Sequence, residues 1–206
     1  MKKTMLACLA GAYFLTGVGQ AAPAVDIAKG DTLFDISYNR LHVDVADLKL
    51  NATEIGLTHG LSDKIALSTG VTFTGDETFT LNNQQAGPFD AKIYDVKLQY
   101  KMTKELAPFI GYKKWEINYE GLPADREVAS KSGLQYGLLY NQKLSEKTSA
   151  FAAASFGRDM QEYKVGLAYN LNKNCSAEIN YKKISLDAHD KDIDAKGVGL
   201  GISYKF

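Results

Sequence analysis

Gly197-Val198-Gly199-Leu200-Gly201-Ile202-Ser203-Tyr204-Lys205-Phe206 is the last stretch of the chain, and its reading decides the fold. Successive side chains of a strand point to opposite faces. Val198, Leu200, Ile202, Tyr204 and Phe206 therefore share one face, and Gly197, Gly199, Gly201, Ser203 and Lys205 share the other. One face is apolar; the other is small or polar. Chain ends usually fray. An aromatic on the apolar face at the very last position is unusual for a soluble sandwich strand, and lipid against that face accounts for it.

The other end of the chain agrees. Met1-Lys2-Lys3 is a short basic segment, Thr4 to Val18 is an apolar run rich in small residues, and two small-x-small cleavage sites follow, Gly19-Gln20-Ala21 and Ala22-Pro23-Ala24. This is the pattern of a secretory signal peptide. The run is too short and too diluted by Gly11, Thr16, Gly17 and Gly19 to serve as a transmembrane anchor. Leu6-Ala7-Cys8 is lipobox-like, but cleavage there leaves almost no apolar core to the signal. The expected division is residues 1–24 as signal peptide, with cleavage after Ala21 or Ala24, and 25–206 as one barrel domain. The two ends together predict an integral protein of the outer membrane of a Gram-negative-type envelope.

Composition bounds the function. About 180 residues after processing suit a single domain. The full chain has 24 basic and 24 acidic residues, so there is no basic excess and nucleic acid is not an expected partner. Cys8 falls in the signal, which leaves Cys175 without an intramolecular disulfide partner. Beyond the signal no apolar run is long enough for a membrane helix. Twelve tyrosines, nine phenylalanines and 18 glycines against four prolines favour many strands with aromatic girdles.

Alternation runs through the rest of the chain. Strands are expected at about 32–39, 48–61, 64–74, 91–102, 107–119, 131–142, 148–157, 160–170, 175–185 and 196–206. Short connections at 61–64, 103–106, 143–147 and 171–174 alternate with long ones at about 40–47, 75–90, 120–130 and 186–195, plus a tight one at Arg158-Asp159. Short periplasmic turns and longer outer loops are how outer-membrane barrels are built. The expected fold is all-β: a transmembrane antiparallel up-and-down β-barrel of ten strands, with eight as the fallback. Tyr94, Val96, Leu98 and Tyr100 on one strand, and Tyr163, Val165, Leu167 and Tyr169 on another, form charge-free faces suited to lipid. A soluble, lipocalin-like barrel would instead turn aliphatics inward and charge outward.

The opposite faces form the expected lumen, with Asp35, Glu54, Asp95, Lys97, Lys101, Lys114, Glu116, Glu162, Lys164, Glu178, Lys182 and Lys205. Ten strands lie near the size at which side chains fill a barrel, so a filled lumen is expected over a pore. The strand at 107–119 is the exception to the pattern. It places Lys113 on the face of Phe109, Trp115, Ile117 and Tyr119, and that face is expected to meet lipid. Either Lys113 snorkels to an interface or a bulge shifts the phase.

On these residues the chain resembles the small outer-membrane β-barrel proteins of Gram-negative bacteria, the porin-like and opacity-protein-like superfamily. The resemblance covers the signal and the whole barrel as an architecture. Its specific motif is the C-terminal signal read by the barrel-assembly machinery: polar, any, Gly, any, any, aromatic, any, aromatic. Gly201, Tyr204 and Phe206 match, whereas Gly199 departs from the polar position. Glu54 to Lys64, followed by Ile65-Ala66-Leu67, looks like the hairpins of such proteins. The resemblance implies outer-membrane lipid, lipopolysaccharide and the assembly machinery as partners.

Catalytic signatures are weak. His42, His59 and His189 are the three histidines, and no Gly-x-Ser-x-Gly, His-Glu-x-x-His or phosphate loop occurs. His59 falls near a periplasmic turn. Asp190, Asp192 and Asp194 have the spacing that opens a calcium loop, but Ala195 stands where that loop needs glycine and no closing glutamate follows. A solvated acidic loop is the plainer reading. No cofactor is expected. The expected role is structural or surface-binding, adhesion-like, with no enzymatic activity. The alternatives are a narrow channel for small solutes and an outer-rim hydrolase acting on lipid A or peptides.

Overall fold

The computed structural model describes residues 22–44, 48–75, 77–81, 84–119, 126–188 and 191–206. Eleven strands follow one another: β1 (Thr32–Val43), β2 (Leu48–Gly60), β3 (Ile65–Thr74), β4 (Glu77–Leu81), β5 (Gln84–Tyr100), β6 (Leu106–Tyr119), β7 (Arg126–Lys143), β8 (Thr148–Gly157), β9 (Met160–Asn170), β10 (Cys175–Ala188) and β11 (Lys191–Lys205). Each strand pairs antiparallel with its sequence neighbours, except that β3 and β4 do not pair with each other. β1 pairs with β11, and β3 with β5, which closes the ring. The barrel has ten strands, and β4 stands outside it as a short hairpin partner of the outer part of β5. Closure leaves the barrel itself without a sheet edge, as a lipid surrounding requires.

All ten expected strands are present, but several run further outward than alternation suggested. β5 begins at Gln84 and β7 at Arg126, and the β10–β11 ladder continues to the Ala188↔Lys191 pair. The connections expected at 75–90 and 186–195 are thus largely hairpin. Beyond the bilayer a ladder needs no lipid-facing apolar side chains, so the alternation that marks the buried part fades while the hydrogen bonds continue. Asp190 and His189 lie outside the described residues.

The two faces separate by exposure. Tyr94, Val96, Leu98, Leu134, Tyr136, Leu138, Tyr163, Val165, Leu167, Val198, Leu200 and Ile202 are exposed on the outside. Asp35, Ser37, Glu54, Gln135, Lys164, Glu178, Lys182 and Ser203 are buried inside. Such an inside-out arrangement suits a barrel dissolved in lipid. The C-terminal strand is held to its last residue: Phe206 donates its backbone N–H to Thr32 (2.8 Å), and Lys205 donates to Asn174 (2.7 Å).

β6 corrects one expectation. Phe109, Lys113 and Trp115 face the lumen, with 6%, 6% and 2% exposure, whereas Ile110 and Tyr112 face out. The neighbours fix this. Ile110 sits opposite Leu98 and Tyr136, and Tyr112 opposite Val96 and Leu134, all outward residues. Directly paired residues share a face. Lys113 therefore neither snorkels nor needs a bulge. Lys114 and Glu116, expected in the lumen, pair with each other on the outer surface.

Candidate functional site: a layered lumen

Among the described residues the lumen gathers buried polar and charged groups, and they are stacked in layers. Along β6 the inward residues read Phe109, Gly111, Lys113, Trp115 from the periplasmic end outward. Each of the three large ones belongs to a different layer.

The middle layer is ionic. Lys113 donates to Glu162 (2.7 Å), and Lys182 bridges Glu162 (2.9 Å) and Glu54. Lys164 lies 3.5 Å from Glu54 and 3.3 Å from Glu178, and Lys97 pairs with Asp95 at 3.1 Å. Ser37 donates to Glu54 and Asn180 to Glu178. These links join β2, β6, β9 and β10 across the lumen, not only along neighbouring strands. A charge removed from water is tolerable only when paired, and each of these charged groups has an opposite charge within 3.5 Å. A cavity of about 40 Å³ lies among them, bounded also by Phe109 and Ser155. That is room for no more than a few waters.

The outer layer is apolar. Leu41, Val43, Leu50, Ala52, Trp115, Met160 and Ile184 form one buried cluster, with Ile93, Ile117, Leu186 and Ile193 packed against it. No expectation of a uniformly polar lumen includes this layer. Its signal was present in the sequence, since Leu41/Val43, Leu50/Ala52 and Ile184/Leu186 are period-two pairs. Leu41, Val43 and Leu186 sit where outer connections were expected, and Leu50, Ala52 and Ile184 at the outer ends of expected strands.

The periplasmic layer uses the chain's own N-terminal segment. Val25 packs with Ala107, Phe109 and Leu139; Ala22 with Phe151 and Ala168; Ala24 and Ile27 with Ala66. Lys101 holds Asp26 at 2.9 Å, and Asn141 donates to the Pro23 carbonyl (3.4 Å). Asp31 then ties the segment to β11 through Lys205 at 2.5 Å, and the Lys205 hydrogen bond holds the Asp31 carboxyl below its ordinary range. Gly60 lets this segment pass. Its amide donates to Asp31, and a side chain there would strike the Ala28 backbone. A vestibule of about 440 Å³ surrounds the segment, lined by Glu105, Asn141, Asn170, Lys173 and Cys175 among others.

Two lumen glycines make room for neighbouring carboxylates. A Cβ on Gly70 would lie 2.6 Å from the Asp95 carboxylate, and one on Gly201 would lie 2.9 Å from Glu178.

The remaining sequence-predicted residues are dispersed. His42 faces outward on β1, 3.7 Å from Asp44. His59 meets the Thr32 hydroxyl at the periplasmic end, 2.9 Å away. Asp194 pairs with Lys183 at 2.7 Å, and Asp192 sits opposite Asp187 in the β10–β11 ladder. Among the described residues no group of three or more His, Cys, Asp or Glu side chains is arranged to hold a metal ion. Gly201, Tyr204 and Phe206 lie on or at the end of β11, and the Tyr204 and Phe206 rings are 4.9 Å apart in an edge-on pair.

No protein-family profile matches the chain, and no curated protein is similar to it. Solved structures do match. The outer-membrane protease OmpT of Escherichia coli superposes with a TM-score of 0.52 at 10% identity, over 90% of this chain and 100% of that one. The chain has the fold of the Gram-negative outer-membrane β-barrels. Two further structures align with this barrel over most of its length. One is the attachment invasion locus protein Ail of Yersinia pestis, in complex with the heparin analogue sucrose octasulfate (TM-score 0.43, 14% identity, 86% of this chain and 99% of that one). The other is Neisserial surface protein A (TM-score 0.47, 9% identity, 85% and 96%).

Proposed function

We propose that the protein is an integral outer-membrane barrel with a non-catalytic, structural or surface-binding role, and that it conducts no solutes. The layered packing of the lumen supports this reading. A solute would have to pass an apolar outer layer, a paired ionic layer and an inserted peptide segment in turn. Binding then falls to the outer hairpins, where β4–β5, β6–β7 and β10–β11 extend past the lipid-facing band. Function concentrates on such segments when a rigid scaffold carries them. Export by the N-terminal signal, and insertion guided by Gly201, Tyr204 and Phe206, belong to the same reading.

Planar-bilayer recording of the refolded, processed protein tests it. The expected trace is flat at all voltages that the bilayer tolerates. Stable, ion-selective conductance steps would overturn the sealed lumen and favour the narrow channel.

A further inference from the structure

β11 lines the lumen with small residues, and side chains from both neighbouring strands lean over them. Gly199 lies between Asn39 of β1 and Asn180 of β10, and Gly201 lies between Ser37 and Glu178. A Cβ on Gly199 would strike the Asn39 carboxamide oxygen and lie 3.0 Å from Asn180 Nδ2. One on Gly201 would lie 2.9 Å from both Ser37 and Glu178. The two glycines floor a furrow, and these four side chains are its walls.

Hydrogen bonds fix which way the walls point. Ser37 donates its single hydroxyl proton to Glu54 (3.2 Å), so toward Asn39 it can only accept. Asn39 therefore turns Nδ2 to Ser37 (3.3 Å) and its oxygen over Gly199. An ionised Glu178 also only accepts, so Asn180 turns Nδ2 to it (2.9 Å) and keeps its oxygen free. Flipping either carboxamide would set two acceptors against each other. Asn39 Oδ1, Asn180 Oδ1 and Glu178 Oε2 are thus left buried with no donor among the described residues, on side chains only 0%, 3% and 6% exposed. Buried polar atoms are ordinarily satisfied.

The charge balance points the same way. The ionic layer sets Lys97, Lys113, Lys164 and Lys182 against four carboxylates. Asp35, fully buried two residues before Ser37 on the same face, is a fifth carboxylate. Among the described residues the layer is one positive charge short. Glu178 also shares Lys164 with Glu54.

We infer that Asn39, Asn180 and Glu178 bind one alkali cation, of sodium or potassium size, in this furrow. Amide carbonyl oxygens and a carboxylate are hard ligands of the kind that hold such ions. Calcium calls for about six to eight oxygens, several of them carboxylate; two carboxamides, one carboxylate and one missing charge suit a monovalent ion. A water could donate to these oxygens but would leave the charge uncompensated. The way in is from the periplasmic end, because Ser176 and Ser203, one step along the furrow from Glu178 and Gly201, line the vestibule.

The test follows urea unfolding of the full processed protein by Trp115 fluorescence, in sodium chloride against N-methylglucamine chloride at constant ionic strength and fixed pH. Once sodium exceeds its dissociation constant, each tenfold rise should raise the folded-to-unfolded ratio by about tenfold. N-methylglucamine should give no rise. Glu178→Gln should abolish the sodium dependence, and Asn39→Asp should move it to lower sodium. Heat-modifiable migration establishes that each variant is folded. Crystals soaked in thallium(I) nitrate should show an anomalous peak against Asn39, Asn180 and Glu178; this measurement and the wild-type titration need no variant. Equal stability in the two salts, or a furrow without a peak, would overturn the inference. So would sodium dependence that survives Glu178→Gln. Stability that followed pH and not sodium would also overturn it, in favour of a proton on Glu178.

Discussion

Lys113 on β6 donates to Glu162 on β9 at 2.7 Å, across the interior of the barrel and not between neighbouring strands. Glu162 also accepts from Lys182, which reaches Glu54, so one network ties four strands together. In a barrel whose outer face meets lipid, this network does the work that an apolar core does in a soluble domain.

Glu162→Gln should therefore destabilise the barrel by about 3 kcal/mol, toward the lower end for breaking a buried pair because the side chain keeps some exposure. Urea unfolding followed by fluorescence of Trp115, the single tryptophan, measures it. Glu162→Met combined with Lys113→Met should recover part of the loss, since no charge is then stranded. A double variant as unstable as the sum of the singles would argue against coupling.

Trp115→Ala should cost about 3–5 kcal/mol, the range for emptying a well-packed aromatic site. Deleting residues 22–27 should cost less and still give no conductance, because the ionic and outer apolar layers remain. Conductance from the deletion alone would show that the N-terminal segment is the only barrier.

Signal cleavage should leave Ala22 as the first residue. Ala22, the Pro23 carbonyl and Ala24 all make contacts inside the mouth. Cleavage after Ala24 would lose these contacts. Intact-mass measurement decides between the two, and a chain starting at Val25 would contradict the expectation.

The Asp31–Lys205 contact should make the N-terminal segment pH-sensitive. Folding lowers the Asp31 pKa, chiefly through the Lys205 hydrogen bond. The contribution is thus complete above the ordinary value of 3.8 and is lost as pH falls through the lower folded value. Hydrogen-exchange protection of residues 22–31, corrected for the intrinsic rate at each pH, should fall in strong acid and stay level between about pH 5 and 8. Asp31→Asn should lower the protection across that range and abolish the acid step.

Replacing Tyr204 and Phe206 by Ala should slow membrane insertion while the β1–β11 and β10–β11 ladders remain possible. Insertion in cells with limiting assembly machinery measures this. Unchanged yield would remove these aromatics from the assembly signal.

Alternation in sequence was enough to find all ten strands and the lipid face of most of them, because a membrane barrel writes lipid contact onto every second residue. It made the outward faces of β5, β7, β9 and β11 legible from Tyr94, Tyr136, Val165 and Leu200 alone. On β6 the rule had two answers. Phe109, Trp115 and Ile117 are as apolar as Ile110 and Tyr112, and composition does not distinguish filling a lumen from facing lipid. Only the pairing of Ile110 with Leu98, and of Lys113 with a carboxylate from a distant strand, decides it. The same holds for the seal. Charged residues on alternating positions announce a polar interior. Whether they flank water or neutralise one another depends on which strands closure brings face to face, and tertiary structure alone supplies that.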